Sequence, residues 1–195
     1  MAKLYFKFGA MGSSKTANAL MTKFNYEEKG KKVWLIKSAV DDRDGKAILK
    51  SRIGLQAQAD VIETNDSILE KLPENVDVII CDECQFLTES QVDQLRMIVS
   101  DKNIPVLCFG LRADFLTHLF PGSKRLFELA DSITEIKSIC RCGAKAIVNA
   151  RFDETGHVCT GGSQVVIGGN DVYESMCYNC WHKMIVENKT RDDTL

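Results

Sequence analysis

A glycine- and serine-rich segment near the start of the chain constrains the fold more than any other feature. Residues 9–16 read GAMGSSKT, directly after a β-forming stretch at residues 3–8 and before a helical pattern at residues 16–28. A turn of this kind points backbone N–H groups and the positive end of the helix dipole at one place, where they stabilise a phosphate. We therefore predict a phosphate-binding Walker A loop here.

Two residues of this loop have expected roles in binding ATP. Lys15 should contact the β- and γ-phosphates, and Thr16 should place its hydroxyl on Mg²⁺. Ser14 departs from the usual pattern, which has glycine immediately before the lysine, and its side chain could crowd the loop. In the alternative interpretation the segment is only a glycine-rich turn that begins a helix. The predicted nucleotide-binding residues of the loop are Gly9, Ala10, Met11, Gly12, Ser13, Ser14, Lys15 and Thr16.

Two acidic residues follow a mostly apolar stretch. Residues 76–81 (VDVIIC) predict a buried strand that ends at Asp82 and Glu83. A carboxylate at the carboxyl end of a parallel strand faces the ligand crevice, where Asp82 would hold Mg²⁺ and Glu83 would accept a proton from the nucleophile. The pair alone does not distinguish a water nucleophile from a substrate hydroxyl. The alternative is that both acids merely solvate the strand end.

Strands alternate with helices over residues 1–139. Further strands are predicted at residues 33–37, 105–109 and 133–139, and further helices at residues 89–100 and near 123–130. Thr88 and Gln91 form a capping-box pattern at the start of the first of these helices. Residues 38–58 are polar and poorly periodic and predict a long, irregular functional loop. Because several strands are apolar throughout, we predict an α/β fold, a P-loop NTPase-like parallel sheet flanked by helices.

The chain changes character at Cys140, after which glycine and cysteine are frequent and strands are short. The close pairs Cys140 with Cys142 and Cys177 with Cys180 suit tetrahedral Zn²⁺ in a closed, structural site. His182 is an alternative fourth ligand in place of Cys180. A redox dithiol is disfavoured because no helix start follows either pair in the required way, and a nucleic-acid-binding zinc ribbon is disfavoured because the module is not markedly basic.

Composition limits the remaining function classes. The net charge of −2 provides no field to attract nucleic acid or a membrane, so neither partner is expected. No signal peptide or membrane-spanning apolar run is evident, which predicts a cytoplasmic protein. In a reducing compartment the 8 cysteines indicate metal ligands or buried thiols rather than disulfides. Cys81 and Cys108 fall in apolar strands and fit the second class, whereas Cys84 and Cys159 are assigned to neither class.

Taken together, these residues resemble the type II thymidine kinases, the family of the cytosolic enzyme and its bacterial relatives. The resemblance runs from Leu4 to about Trp181, and its motifs occur in family order: GAMGSSKT, DDRDG followed by SRIG, DECQF, FGLRADF, the cysteine pairs and VVIGGNDVYESMC. It implies a kinase that transfers the γ-phosphate of ATP to the 5′-hydroxyl of thymidine, with Mg²⁺ and a structural Zn²⁺. It also implies a homotetramer that is inhibited by dTTP.

The resemblance further implies roles for individual residues. Glu83 matches the general base, and Asp41 and Arg43 match residues of the loop after the second strand that approach the phosphates and the substrate. Asp82, Glu83, Cys84 and Gln85 lie in the nucleotide-side motif. A lasso-like loop closed by Tyr173 would present backbone groups to the pyrimidine, although Tyr173 could instead be a core aromatic beside the zinc site. The implied thymidine-binding residues are Met11, Phe86, Leu111, Phe115, Val165, Val166, Ile167, Gly168, Gly169 and Tyr173.

Three parts of the chain are therefore expected. Residues 1–139 would form the nucleotide-binding α/β domain, residues 140–186 a zinc-binding module with the substrate loop, and residues 187–195 a flexible tail. Two other functions stay open: a zinc-containing P-loop ATPase acting on nucleic acid, and a nucleotide-binding scaffold in which Ser14 has abolished catalysis. Formation of ADP with and without thymidine would separate the three.

Overall fold

A computed structural model of the chain describes residues 1–41, 45, 47–166 and 172–194. The strands are β1 (Leu4–Phe8), β2 (Val33–Ser38), β3 (Ile48–Lys50), β4 (Gln56–Gln58), β5 (Asp60–Ile62), β6 (Val78–Asp82), β7 (Val106–Gly110), β8 (Ser132–Glu135), β9 (Ser138–Ile139), β10 (Lys145–Ala146), β11 (Val148–Arg151) and β12 (Tyr173–Met176). The helices are α1 (Lys15–Glu28), α2 (Ile68–Lys71), α3 (Glu89–Lys102), α4 (Pro121–Leu129) and α5 (Tyr178–Glu187), with 3₁₀ turns at Cys84–Phe86 and Arg191–Thr194.

Six strands form a parallel sheet in the order β5-β2-β6-β7-β1-β8. Side chains of β6 alternate between two core clusters, as the strand period requires. Ile79 and Cys81 pack with residues of α3 and α4, whereas Val78 and Ile80 pack with residues of α1. Because helices cover both faces, β6 and β7 are buried along their whole length. The predicted α/β class is thus confirmed.

The capping box predicted at the start of α3 is present. The Thr88 hydroxyl accepts a hydrogen bond from the Gln91 backbone N–H at 3.2 Å, and the Gln91 side chain accepts one from the Thr88 N–H at 3.1 Å. The strand predicted at residues 133–139 is divided instead. Its first part, β8, joins the large sheet, whereas β9 pairs with β10 in a separate two-stranded sheet.

The prediction of an irregular loop over residues 38–58 is wrong, because β3 and β4 form an antiparallel hairpin there. Leu49 anchors the hairpin in the core beside α1 and is 4% exposed. The Lys37 ammonium donates to the Ile48 carbonyl at 3.1 Å. The sequence shows no clear alternation because each strand has only three residues.

A small module follows β8 and packs against the phosphate loop. It contains the pairs β9–β10 and β11–β12 and the helix α5. Its apolar core includes Phe152, Met176 and Met184, and Ala10 of the phosphate loop lies in the same cluster. The module therefore reaches the end of the sheet where β1 leads into α1.

The tail predicted to be flexible is attached to this module as far as the structure describes it. The Arg191 backbone N–H donates to the Gly156 carbonyl at 2.7 Å, and Thr190 forms an isolated β-bridge with His157. These contacts are hydrogen bonds between polar groups, so the polar composition of the tail did not indicate them. None of the helices in the described ranges is long and apolar enough to cross a membrane.

Candidate active site

A cavity of about 550 Å³ lies where the carboxyl ends of β1, β6 and β7 meet the module. Residues that directly follow these strands line it, among them Met11, Glu83 and Leu111. The hairpin contributes Arg52, and the module contributes Tyr173. Its size is that of a site for a drug-sized ligand, and its place is the usual one in parallel α/β sheets.

The phosphate loop has the backbone that its glycines and serines predict. Gly12 and Ser14 have φ angles of 74° and 62°, in the left-handed region. Glycine enters this region freely, whereas serine does so at a cost of about 1–2 kcal/mol. The Ser14 side chain is exposed and does not crowd the loop. Gly9 is needed for close packing, since a Cβ there would lie 2.4 Å from the Ile136 carbonyl oxygen.

The Lys15 side chain crosses the mouth of the loop. It is 8% exposed, and its ammonium donates to the Ala10 carbonyl at 2.8 Å and to the Ser13 hydroxyl at 3.4 Å. Burial lowers the pKa of Lys15, and the nearby charges of Glu83 and Asp82 oppose that change. An anion bound in the loop would stabilise the charged amine in place of these contacts.

Thr16 lines the cavity and contacts the buried side chain of Asp82. The Thr16 hydroxyl donates to Asp82 Oδ2 at 2.7 Å. Asp82 is 1% exposed, so it does not solvate the strand end. Burial, and next the charge of Glu83, raise the pKa of Asp82 to about 7. The second oxygen, Oδ1, is buried without a hydrogen-bond partner among the described residues. A hydroxyl beside an unsatisfied carboxylate oxygen is a donor set that fits Mg²⁺.

Glu83 is held in place by its own backbone and by Gln85. Its φ angle is 51°, a left-handed conformation that costs energy for a residue with a side chain and that is common at functional sites. The Gln85 amide donates to Glu83 Oε2 at 2.5 Å and accepts from the Leu111 N–H at 3.0 Å. Cys84, by contrast, lies in the sheet core, where burial raises its pKa to about 11. Only its backbone is available to a nucleotide.

The apolar end of the cavity contains the residues expected to bind the nucleoside. The described ones that line it are Met11, Phe86, Leu111, Phe115, Val165, Val166 and Tyr173. The Tyr173 hydroxyl donates to the Val166 carbonyl at 2.9 Å, so this side chain contacts the described start of the loop. Asp41, which is buried, also lines the cavity. Arg43, Ile167, Gly168 and Gly169 lie outside the described residues.

Two polar residues of β11 connect the parts of the site and were missed from the sequence. Asn149 accepts from the Met11 N–H at 2.8 Å and donates to the Ala113 carbonyl at 2.9 Å. Arg151 lies over the Phe115 ring with its guanidinium carbon 3.6 Å from the ring centre, and it donates to the carbonyls of residues 161 and 163. Both are buried within a strand that is buried throughout. Polar side chains in such a strand are the signal that could have identified them.

The four predicted zinc ligands converge. The sulfur atoms of Cys140, Cys142, Cys177 and Cys180 all lie within 4.8 Å of one another, and the Cys142 and Cys177 sulfurs are 3.7 Å apart. A tetrahedron with Zn–S bonds of about 2.3 Å has sulfurs about 3.8 Å apart, so the cluster fits Zn²⁺. Hydrogen bonds, first from the Ala144 backbone, lower the pKa of Cys142 to about 7. His182 instead stacks on Tyr178 at 5.8 Å.

Comparison with known proteins identifies the family. The family profile described as Thymidine kinase matches residues 2–181. A thymidine kinase of Photobacterium profundum is 44% identical over 182 residues, which cover 91% of this chain and 95% of that protein. A thymidine kinase of Yersinia pestis is 44% identical with 91% and 93% coverage, and one of Shewanella oneidensis is 42% identical with 95% and 99% coverage. The chain belongs to the thymidine kinase family.

Proposed function

We propose that the chain transfers the γ-phosphate of ATP to the 5′-hydroxyl of thymidine, producing dTMP and ADP. The observation that supports this most directly is that a single cavity joins the phosphate loop, the Glu83 carboxylate and an apolar wall, and that Asp82 is bonded to Thr16 of its lining. Membership of the thymidine kinase family supports a phosphotransferase that uses ATP and thymidine. It does not favour the alternative of an ATPase acting on nucleic acid.

The phosphate end of ATP would occupy the loop at residues 9–16. Backbone N–H groups and the Lys15 ammonium would bind the β- and γ-phosphates, and Thr16 and Asp82 would hold Mg²⁺. When bound, the cation would neutralise charge on the β- and γ-phosphate oxygens. The unsatisfied Asp82 Oδ1 favours this arrangement, because a cation there would compensate a buried charge.

Glu83 would be the general base. Its carboxylate would accept the proton of the thymidine 5′-hydroxyl as that oxygen bonds to the γ-phosphorus and the bond from phosphorus to the β,γ-bridging oxygen breaks. ADP then leaves, and the proton passes from Glu83 to solvent. The 2.5 Å hydrogen bond from Gln85 keeps one carboxylate oxygen occupied and so orients the other. Gln85 is thus a positioning residue.

The base would bind between the apolar wall and the loop that Tyr173 closes. Backbone donors and acceptors have a fixed pattern, so they match thymine and mismatch cytosine. Each group left unpaired by cytosine would cost about 1–3 kcal/mol, or roughly 5- to 150-fold in kcat/KM. The methyl group is worth only about 1 kcal/mol, so deoxyuridine should be a poorer substrate rather than an excluded one.

The cysteine cluster would hold a structural Zn²⁺ that stabilises this loop. Cys177 directly follows β12, whose first residue is Tyr173, so the metal would fix the strand that closes the base pocket. Four protein ligands leave no open position, which is typical of a structural site. The homotetramer and the inhibition by dTTP that the resemblance implies remain proposals of the same kind.

One assay with a matched variant tests the function. Purified protein with Mg²⁺ and ATP should form ADP when thymidine is added, and Glu83→Gln should lose about 10²- to 10⁴-fold in kcat while ATP still binds. ADP formation that needs nucleic acid instead of thymidine would support the ATPase. ATP binding without turnover would support the scaffold, and equal kcat/KM for deoxycytidine would remove the proposed base selectivity.

A further inference from the structure

The tip of the β3–β4 hairpin is a rigid turn that presents Arg52 to the cavity. Ser51 is 3% exposed, and its backbone N–H donates to the Leu55 carbonyl at 2.7 Å. The Ser51 hydroxyl accepts from the Leu55 N–H at 3.0 Å, and the Gly54 N–H donates to the Ser51 carbonyl at 3.0 Å. Gly54 has a φ of 88°, which the turn requires and which glycine adopts without strain. Arg52 therefore projects from a turn that its neighbours close.

The hairpin as a whole is fixed to the α/β domain rather than loosely attached. Leu49 is buried in the cluster that contains Ala19 and Leu20 of α1, the helix that begins at the phosphate loop. Lys37 is 2% exposed, and its ammonium bonds to the hairpin backbone at Ile48. Because the same helix supports the loop and the hairpin, the position of Arg52 relative to the loop is set by core packing.

Arg52 lies over the phosphate loop. A Cβ built on Gly12 would be 3.5 Å from Arg52 Nη1, and Arg52 lines the same cavity as Lys15 and Glu83. The cations Lys15 and Arg52, with Lys50 elsewhere in the lining, and the N–H groups of the loop thus converge on one space. Their mutual repulsion would be relieved by a bound polyanion, and the planar guanidinium suits phosphoryl oxygens.

We propose that Arg52 is a catalytic residue that donates hydrogen bonds to the γ-phosphoryl group while it passes from ADP to the acceptor oxygen. This rests on the proposed kinase function. Negative charge spreads over the γ-phosphoryl oxygens and the β,γ-bridging oxygen as the bond between them breaks, and a preorganised arginine stabilises that charge more than it stabilises bound ATP. Its removal should therefore lower kcat more than it weakens ATP binding.

Arg52→Gln tests this, with Arg52→Lys and Lys50→Gln as matched comparisons. We expect Arg52→Gln to lose roughly 10²- to 10⁴-fold in kcat, with the KM for thymidine and the Kd for ATP within about threefold of wild type. Arg52→Lys keeps the charge but not the planar fork and should still lose at least about tenfold. Lys50→Gln removes a charge that lines the same cavity from the same hairpin, and since only Arg52 of the two lies over Gly12 it should lose far less. Added guanidinium should partly restore the kcat of Arg52→Ala.

Folding failure is not expected, because the Arg52 side chain is exposed, and thermal unfolding of each variant checks it. Turnover by Arg52→Gln within threefold of wild type would overturn the inference. So would an equal loss in Lys50→Gln, which would show that only the net charge of the hairpin matters. The proposed function fails separately, if the wild-type protein does not phosphorylate thymidine.

Discussion

Replacing Asp82 with asparagine should stabilise the ligand-free protein while abolishing its activity. Burial and the charge of Glu83 raise the pKa of Asp82 from 3.8 to about 7. The folded protein then holds this proton up to about pH 7, whereas the unfolded chain releases it near pH 4. Stability is therefore highest at low pH and falls as pH rises through this window. Linkage gives a loss of about 2–3 kcal/mol between pH 5 and pH 8 from this one group.

Asparagine removes this pH-dependent loss of folding stability and introduces a smaller destabilisation of its own. Its oxygen can still accept the hydrogen bond from Thr16, which is 2.7 Å long in the wild-type protein. Its NH₂ group would take the place of Oδ1, where the described residues offer no partner, and an unpaired buried amide costs about 1–3 kcal/mol. Because the raised pKa corresponds to about 4 kcal/mol at pH 8, a net gain of about 1–3 kcal/mol should remain. Loss of the proposed Mg²⁺ ligand should lower kcat at least 100-fold.

Urea unfolding at several pH values, without Mg²⁺ or nucleotide, measures the effect. The difference in unfolding free energy between Asp82→Asn and wild type should grow by about 2–3 kcal/mol from pH 5 to pH 8. Glu83→Gln, which removes the second cause of the raised pKa, should show a smaller gain of the same sign. A difference that does not change with pH would refute the reasoning.

Three further predictions concern other parts of the site. Ser14→Gly should raise the unfolding free energy by up to about 1 kcal/mol and leave kcat within about twofold, because φ at this position is 62°. A variant less stable than wild type would show that the left-handed backbone carries no cost for serine. Elemental analysis should find one Zn²⁺ per chain that Cys180→Ala loses and His182→Ala keeps, and the reverse pattern would move the fourth ligand. Arg151→Met should raise the KM for thymidine roughly tenfold and leave the KM for ATP unchanged. The reason is that Arg151 stacks on Phe115 and donates hydrogen bonds to the carbonyls of residues 161 and 163. Equal rises in both KM values would instead mean a general loss of structure.

The parts of the protein that follow from short stretches of sequence were predictable. The strand–loop–helix at residues 4–28 and the capping box of α3 each depend on residues close together in the chain, where local backbone preferences decide the outcome. The same holds for the placement of Asp82 and Glu83 at the end of β6, because a buried strand marks its own end. The two cysteine pairs are separated by more than thirty residues, but tetrahedral metal chemistry limits what they can do together.

Tertiary structure alone decided how these parts meet. Met11 and Asn149 are 138 residues apart and share one hydrogen bond, and Arg151 reaches Phe115 only because β11 packs across the end of the sheet. The hairpin that carries Arg52 has too few residues for a periodic signal, and its position comes from the burial of Leu49 against α1. Local propensity contains no information about such contacts, because they form only when the core clusters of the folded chain bring distant backbone segments together. The sequence by itself therefore determined the chemistry available to this protein, and packing decided which groups meet at one cavity.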